Sequence, residues 1–224
     1  MSRVRKDERG FTLIELLVTM SVGMIVMAGI LGLLDMTLRG STTALGRTHA
    51  VREGRGAIDR VGQELRLASC PDTGSAVISA DGDTVSYYVA RPLSDPQLAP
   101  VVERHTLTYT AANGTIALTV SPGTGTPPVW SGTPSRRAIL GTGLSRTGTT
   151  PIFQYLSYDA PDASAMSLIT APVPAASLIT IAQVRVTFTA LGAYPSAANG
   201  SSRFQSDVAL RTDDPSDEDN TPEC

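Results

Sequence analysis

The chain opens on a long apolar run. Between Phe11 and Leu34 the one ionisable side chain is Glu15, and the rest are apolar residues, glycines and small hydroxyl residues. A run of that length predicts a helix able to cross a bilayer, for which about 20 apolar residues suffice. Past Leu34 the pattern becomes amphipathic. Val51, Ile58, Val61, Leu65 and Ala68 recur at steps of seven, three, four and three, which sets them on one helical face. Arg47, Arg52, Glu53, Arg55, Asp59, Arg60 and Glu64 fall mostly off that stripe. Together the two segments predict one helix over residues 12–69, roughly 85 Å long if continuous at 1.5 Å per residue. Gly40, Gly46, Gly54, Gly56 and Gly62 interrupt it. Each lowers helix propensity by up to about 1 kcal/mol relative to alanine, so bending or local melting is expected between residues 40 and 56. Cys70-Pro71 is the expected stop, because proline disfavours helix in the residue before it.

The remainder changes to the period of a strand. Residues 84–90, 101–110, 115–120, 152–158, 178–190 and 203–211 are rich in valine, threonine and aromatics. Asp81-Gly82 and Asn113-Gly114 mark turns, and the second joins two strand-like runs as a hairpin. Val184, Val186 and Phe188 alternate with Arg185, Thr187 and Thr189, which puts the apolar set on one sheet face and the polar set on the other. The apolar face is expected to lie on the helix stripe. Residues 121–151, dense in Gly, Thr, Ser and Pro, read as an irregular surface excursion, long for a connection within a compact domain. Trp130, the only tryptophan, either packs this excursion onto the sheet or makes a contact at its tip.

The predicted fold class is therefore α+β, a long N-terminal transmembrane and stalk helix packed on an antiparallel β-sheet head. Its segments are a leader over 1–10, a transmembrane helix over 11–35, an amphipathic stalk helix over 36–69, a β-rich head over 70–211 and an acidic tail over 212–224. The tail carries Asp213, Asp214, Asp217, Glu218, Asp219 and Glu223 with Pro215 and Pro222, and it reads as disordered. Its spacing does not match a calcium-binding EF-hand loop.

Charge orients the chain. The formal net charge is −3, but the leader contributes +2 from Arg3, Arg5, Lys6 and Arg9 against Asp7 and Glu8, so the chain after Gly10 stands at −5. Positive residues before a first membrane helix favour a cytoplasmic N-terminus, which predicts export of everything beyond Leu34. The acidity of that exported part argues against nucleic acid as a partner, although Arg136-Arg137 is a local basic pair. Two cysteines occur, Cys70 and Cys224. Either they pair, tying the end of the stalk to the end of the chain, or Cys70 is buried or free and Cys224 sits on the tail.

Catalytic and cofactor chemistry find little support. There are two histidines, His49 on the stalk and His105 on a strand, where it reads as a polar member of the outer face. No zinc-like ligand spacing, nucleophile elbow or phosphate-binding glycine loop accompanies them. Asp159 and Asp162 flank Pro161 and read as a turn rather than a cation site. No enzyme activity, metal or cofactor is predicted.

Arg9-Gly10-Phe11-Thr12-Leu13-Ile14-Glu15-Leu16-Leu17-Val18 resembles the N-terminus of a type IV prepilin or type II secretion pseudopilin. A Sec signal peptide has its small-residue cleavage site after the apolar region, whereas Gly10 stands before it. A plain uncleaved anchor would need neither Gly10 nor Glu15. The resemblance implies that a prepilin peptidase cuts between Gly10 and Phe11 and methylates the new Phe11 amine. It implies that Glu15 of one subunit meets the Phe11 amine of its neighbour and sets the filament register. Gly23, Ala28, Gly29 and Gly32 suit close helix packing in such a filament.

The stretch 57–68 and the strand runs Thr106-Leu107-Thr108-Tyr109, Ile152-Phe153-Gln154-Tyr155 and Val184-Arg185-Val186-Thr187-Phe188 are most similar to J-type minor pseudopilins and W-type minor pilins. That likeness implies a structural subunit near the filament tip, involved in starting assembly. Its partners would be other major and minor pilins or pseudopilins, with inner-membrane lipid around it before assembly. The alternative is a filament-displayed adhesin or DNA-capture subunit that binds its ligand through head loops.

Overall fold

A computed structural model describes residues 12–70, 75–91, 101–125, 128–158, 166–192 and 200–210. The chain divides into two compact units, residues 1–44 and 45–224. One helix, α1 (Leu13–Leu65), runs through both. The expected melting between residues 40 and 56 does not occur. Within the second unit the reason is packing. Gly54 lies against the Phe204 ring, a β-carbon on Gly46's neighbour Gly192 would meet the Gly46 carbonyl, and Gly62 faces Val208. Close approach at these glycines offsets their lost propensity.

The buried stripe of α1 is also smaller-featured than the sequence pattern suggested. Gly46, Ala50, Gly54, Ala57, Val61, Gly62 and Leu65 are buried, while Val51 and Ile58 are only half-buried. Small residues let the helix axis sit close to the sheets, and the larger aliphatic ones border the contact. The helix stops at Leu65, short of the expected residue 69. There the chain is captured by a strand edge before Cys70-Pro71 acts: Ser69 N–H donates to the Tyr88 carbonyl (2.9 Å), and Ala90 N–H donates to Ser69 Oγ (2.7 Å).

Among the described residues eleven strands follow: β1 (Val77–Ala80), β2 (Thr84–Arg91), β3 (Val101–Thr110), β4 (Thr115–Thr124), β5 (Val129–Trp130), β6 (Arg136–Gly141), β7 (Leu144–Ser145), β8 (Phe153–Tyr158), β9 (Met166–Ile169), β10 (Gln183–Ala190) and β11 (Ser202–Ala209). A 3-10 helix spans Ala175–Thr180, where the sequence pattern had suggested that a strand begins. A six-stranded sheet runs β1-β2-β3-β4-β5, with β6 also on β4, and a five-stranded sheet runs β11-β10-β8-β9, with β7 also on β10. The paired strands are antiparallel. The predicted hairpin closes β3 onto β4 with Thr110 opposite Thr115, and Gly114 adopts φ +61° there, as such a turn requires.

Residues 121–151 are irregular only in part, over 131–135, 142–143 and 146–151 among the described residues. β4 extends to Thr124, and Arg136–Gly141 forms a full strand on its edge. Backbone pairing there overrides the turn-forming composition. Val184, Val186 and Phe188 are buried as predicted, but so is Thr187. Val85, Tyr87, Leu107, Ile116 and Leu118 from one sheet join Phe153, Tyr155, Val184, Val186 and Phe188 from the other in a single core with Ala57, Val61 and Leu65 of α1. The sheets are pinned where Phe153 N–H donates to Gly82 O (2.9 Å) and Tyr155 O–H donates to Asp81 O (2.7 Å).

Candidate functional site: the N-terminal helix

In the first unit α1 begins as Glu15 N–H and Leu16 N–H both donate to the Thr12 carbonyl (3.1 and 3.2 Å). Glu15 stands in the first turn, where free backbone N–H groups make the helix end electropositive and favour a carboxylate. The expected cleavage residues Gly10 and Phe11 lie outside the described residues. Among the described residues, no hydrogen bond or ion pair reaches the Glu15 carboxylate.

From Leu16 to Leu34 the helix presents apolar side chains on every side, with Leu16, Leu17, Val18, Met20, Val22, Met24, Ile25, Leu31 and Leu33 all exposed. Its hydroxyls are satisfied locally. Thr19 Oγ1 donates to Leu16 O (2.9 Å) and Ser21 Oγ to Leu17 O (2.8 Å). The next charges are an exposed pair one turn apart, with Arg39 Nη2 at 2.9 Å from Asp35 Oδ2 and Nε donating to Oδ1 at 3.1 Å. The stretch between Glu15 and Asp35 is about 28 Å long at 1.5 Å per residue, matching a hydrocarbon core of about 30 Å. The helix is long and apolar enough to cross a membrane. At Gly23, Gly29 and Gly32 an added β-carbon would meet nothing, so another helix can approach the backbone closely at these points. An unpaired carboxylate in so apolar a surface is expensive to hold in lipid, and the site calls for a cation from outside this helix.

The second unit corrects the reading of His105. The ring is buried rather than on an outer face. Nδ1 lies 3.2 Å from Glu64 Oε2 on α1 and Nε2 lies 3.4 Å from Glu103 Oε2, while Arg91 Nη1 approaches the other carboxylate oxygen, Glu103 Oε1, at 3.6 Å. Period two through β3 sets His105 with Leu107 and Tyr109 on the inner face, a signal that was present in the sequence. Glu64, off the apolar stripe, had no mark of its own.

Tyr87 packs against His105 at 5.7 Å between ring centroids. Burial, and then the Glu64 charge, push its phenol pKa up. His49 is exposed on α1. Among the described residues no group of His, Cys, Asp or Glu is arranged to hold a metal ion. Cys70 is engaged in a disulfide. Cys224, the Asp159 and Asp162 turn and the acidic tail lie outside the described residues. Trp130 packs onto the six-stranded sheet, beside Tyr88 and Arg104. Arg136 and Arg137 are exposed on β6.

A sequence profile described as the prokaryotic N-terminal methylation motif matches residues 5–31. No curated protein matches the chain. The motif spans the second half of the leader, the helix start with Glu15 and most of the apolar run. It supports a type IV pilin-like or pseudopilin-like subunit, and it implies processing by a prepilin peptidase and assembly with other pilins. The motif and the apolar N-terminal helix fit a membrane-anchored pilin.

Proposed function

We propose that the chain is a minor pilin or pseudopilin, a structural rather than catalytic subunit of a type IV pilus-like or type II secretion filament, placed near the tip where assembly begins. Hydrolysis of the Gly10–Phe11 peptide bond removes the leader over 1–10 and frees an α-amine on Phe11, which then takes a methyl group. Glycine before the bond lets the backbone enter a protease cleft without a side-chain clash. Before assembly the chain sits in the inner membrane, with its N-terminus cytoplasmic and the β-rich head over 70–211 exported. The basic leader supports that orientation.

The observation that carries this reading is Glu15, a carboxylate with no partner among the described residues, in an apolar helix exposed on every side. The Phe11 amine of a neighbouring subunit is the cation it meets, and their attraction in a low-dielectric helix bundle sets the axial register. Cys70 and Cys224 are proposed to pair, holding the end of the chain against the end of α1.

Glu15→Leu tests the reading in cells that assemble the filament. It keeps helix propensity and hydropathy, so the variant is expected to be inserted and cleaved like the parent but to stay in the membrane. Equal recovery of both chains in sheared filaments would contradict the role given to Glu15.

A further inference from the structure

The face of the six-stranded sheet turned away from the core is unlike the rest of this acidic chain. In register across it, Tyr88 stands opposite Arg104 and Arg104 opposite Ser121, while Thr106 stands opposite Thr119 and Thr119 opposite Arg137. Alternation puts these residues on the side opposite Tyr87, Leu107 and Leu118. Among the described residues of β2, β3, β4 and β6 that share this face, none is an aspartate or glutamate. Glu103 has the other parity and turns to His105.

Trp130, brought in by β5, closes one end of the face. Its ring lies 5.6 Å from that of Tyr88 at an interplanar angle of 43°, and the Arg104 guanidinium carbon sits 5.3 Å from its centroid. The indole fixes the guanidinium plane by cation–π attraction. Among the described residues, Arg104 Nε is nonetheless buried without an acceptor. A buried donor left unpaired is costly, and the half-buried Arg104 side chain is therefore short of hydrogen-bond partners. Arg137, exposed two strands away, provides a second cation on the same face.

We infer that this face binds an acidic polysaccharide. Its carboxylates would bond Arg104 and Arg137, and the apolar faces of its pyranose rings would lie on Trp130 and Tyr88. The pairing of two cations with two aromatic rings matches a charged sugar better than a charge or a sugar alone. Nucleic acid fits less well. Rings inclined at 43° leave no parallel slot for a flat base. This inference stands apart from the filament reading, and either can fail without the other.

Trp130 is the only tryptophan, so its fluorescence reports on this face alone. The full chain in neutral detergent micelles is titrated with polygalacturonate, dextran, polyglutamate and single-stranded DNA. Polygalacturonate is expected to change Trp130 emission saturably, and the other three are not. Arg104→Gln and Arg137→Gln should each weaken the response about tenfold, the loss of one charge-assisted pair. Arg203→Gln, on the other sheet, should leave it unchanged. Arg104→Lys keeps the charge but not the planar fork and should fall between parent and Arg104→Gln. If Arg104→Gln does not fold, the exposed Arg137→Gln decides. An unchanged emission with polygalacturonate, an equal response to any of the other polymers, or full binding by the folded arginine variants would overturn the inference.

Discussion

Gly54 lies directly against the ring of Phe204, so close that a β-carbon at this position would clash with the ring edge at Cε2, Cδ2 and Cζ. Helix propensity alone predicts that Gly54→Ala stabilises the chain by up to about 1 kcal/mol. The packing predicts the reverse, a loss of about 1–3 kcal/mol as the ring or the helix is displaced. Chemical denaturation of the two chains gives the sign directly. Phe204→Leu should recover part of the loss in the Gly54→Ala background. Gly40→Ala serves as the contrast, since nothing lies within 4 Å of its added β-carbon, and it should be neutral or stabilising.

His105 holds α1 to β3 through Glu64 and is closed on its other side by Glu103, with Arg91 beyond. Replacing Glu64 by leucine removes the acceptor facing Nδ1 and leaves a buried imidazole nitrogen against hydrocarbon. The expected cost is about 1–3 kcal/mol. Glu64→Gln, which can still accept a hydrogen bond, should cost less. A denaturation midpoint equal to the parent's for Glu64→Leu would show that this contact does not secure the helix.

Tyr87 and Tyr155 have phenol pKa values pushed well up, chiefly by burial, with the charges of Glu64 and Asp81 acting in the same direction. A phenol whose folded pKa lies above its unfolded value stabilises the fold fully below the unfolded value, near 10, and loses that contribution as pH rises. Exposed tyrosines should therefore ionise first, and these two only as the fold is lost. Phenolate absorbance followed alongside circular dichroism checks this, with Tyr87→Phe and Tyr155→Phe assigning the late step. Early ionisation of either residue with the fold intact would contradict it.

Arg185 and Asp207 form a two-bonded pair across β10 and β11, at 2.7 and 2.8 Å. The guanidinium beside it, chiefly through the hydrogen bond, holds the Asp207 carboxyl below its usual pKa. A depressed carboxylate stabilises the fold above its unfolded value, near 3.9, and that contribution disappears as pH falls through the lowered value. The pair is partly exposed, so solvent limits it to about 1 kcal/mol or less. Asp207→Asn should cost little at neutral pH and nothing near pH 2, as shown by thermal melts across that range. A penalty that grows on acidification would refute the assignment.

Much of this was legible in the sequence where one period dominated. The helix start, β3 over 101–110 and the Asn113-Gly114 hairpin follow from local pattern alone. The helix glycines misled because their value lies in partners such as Phe204 and Gly192, which are far away in the chain. Residues 136–141 were hidden because β6 takes its structure from the edge of β4 rather than from its own composition. For the site, Glu15 stood out as the one ionisable side chain between Phe11 and Leu34. The cluster of Arg104, Trp130 and Tyr88 did not, since only the sheet register brings those three together.

The proposed filament role rests on a cut between Gly10 and Phe11. Intact mass and N-terminal sequencing of the protein recovered from membranes with an active prepilin peptidase test it most directly. A chain beginning at Phe11 with a methyl group on its amine is expected, and a bulky replacement of Gly10 should leave the leader attached. A parent chain that retains residues 1–10 in those membranes would contradict it.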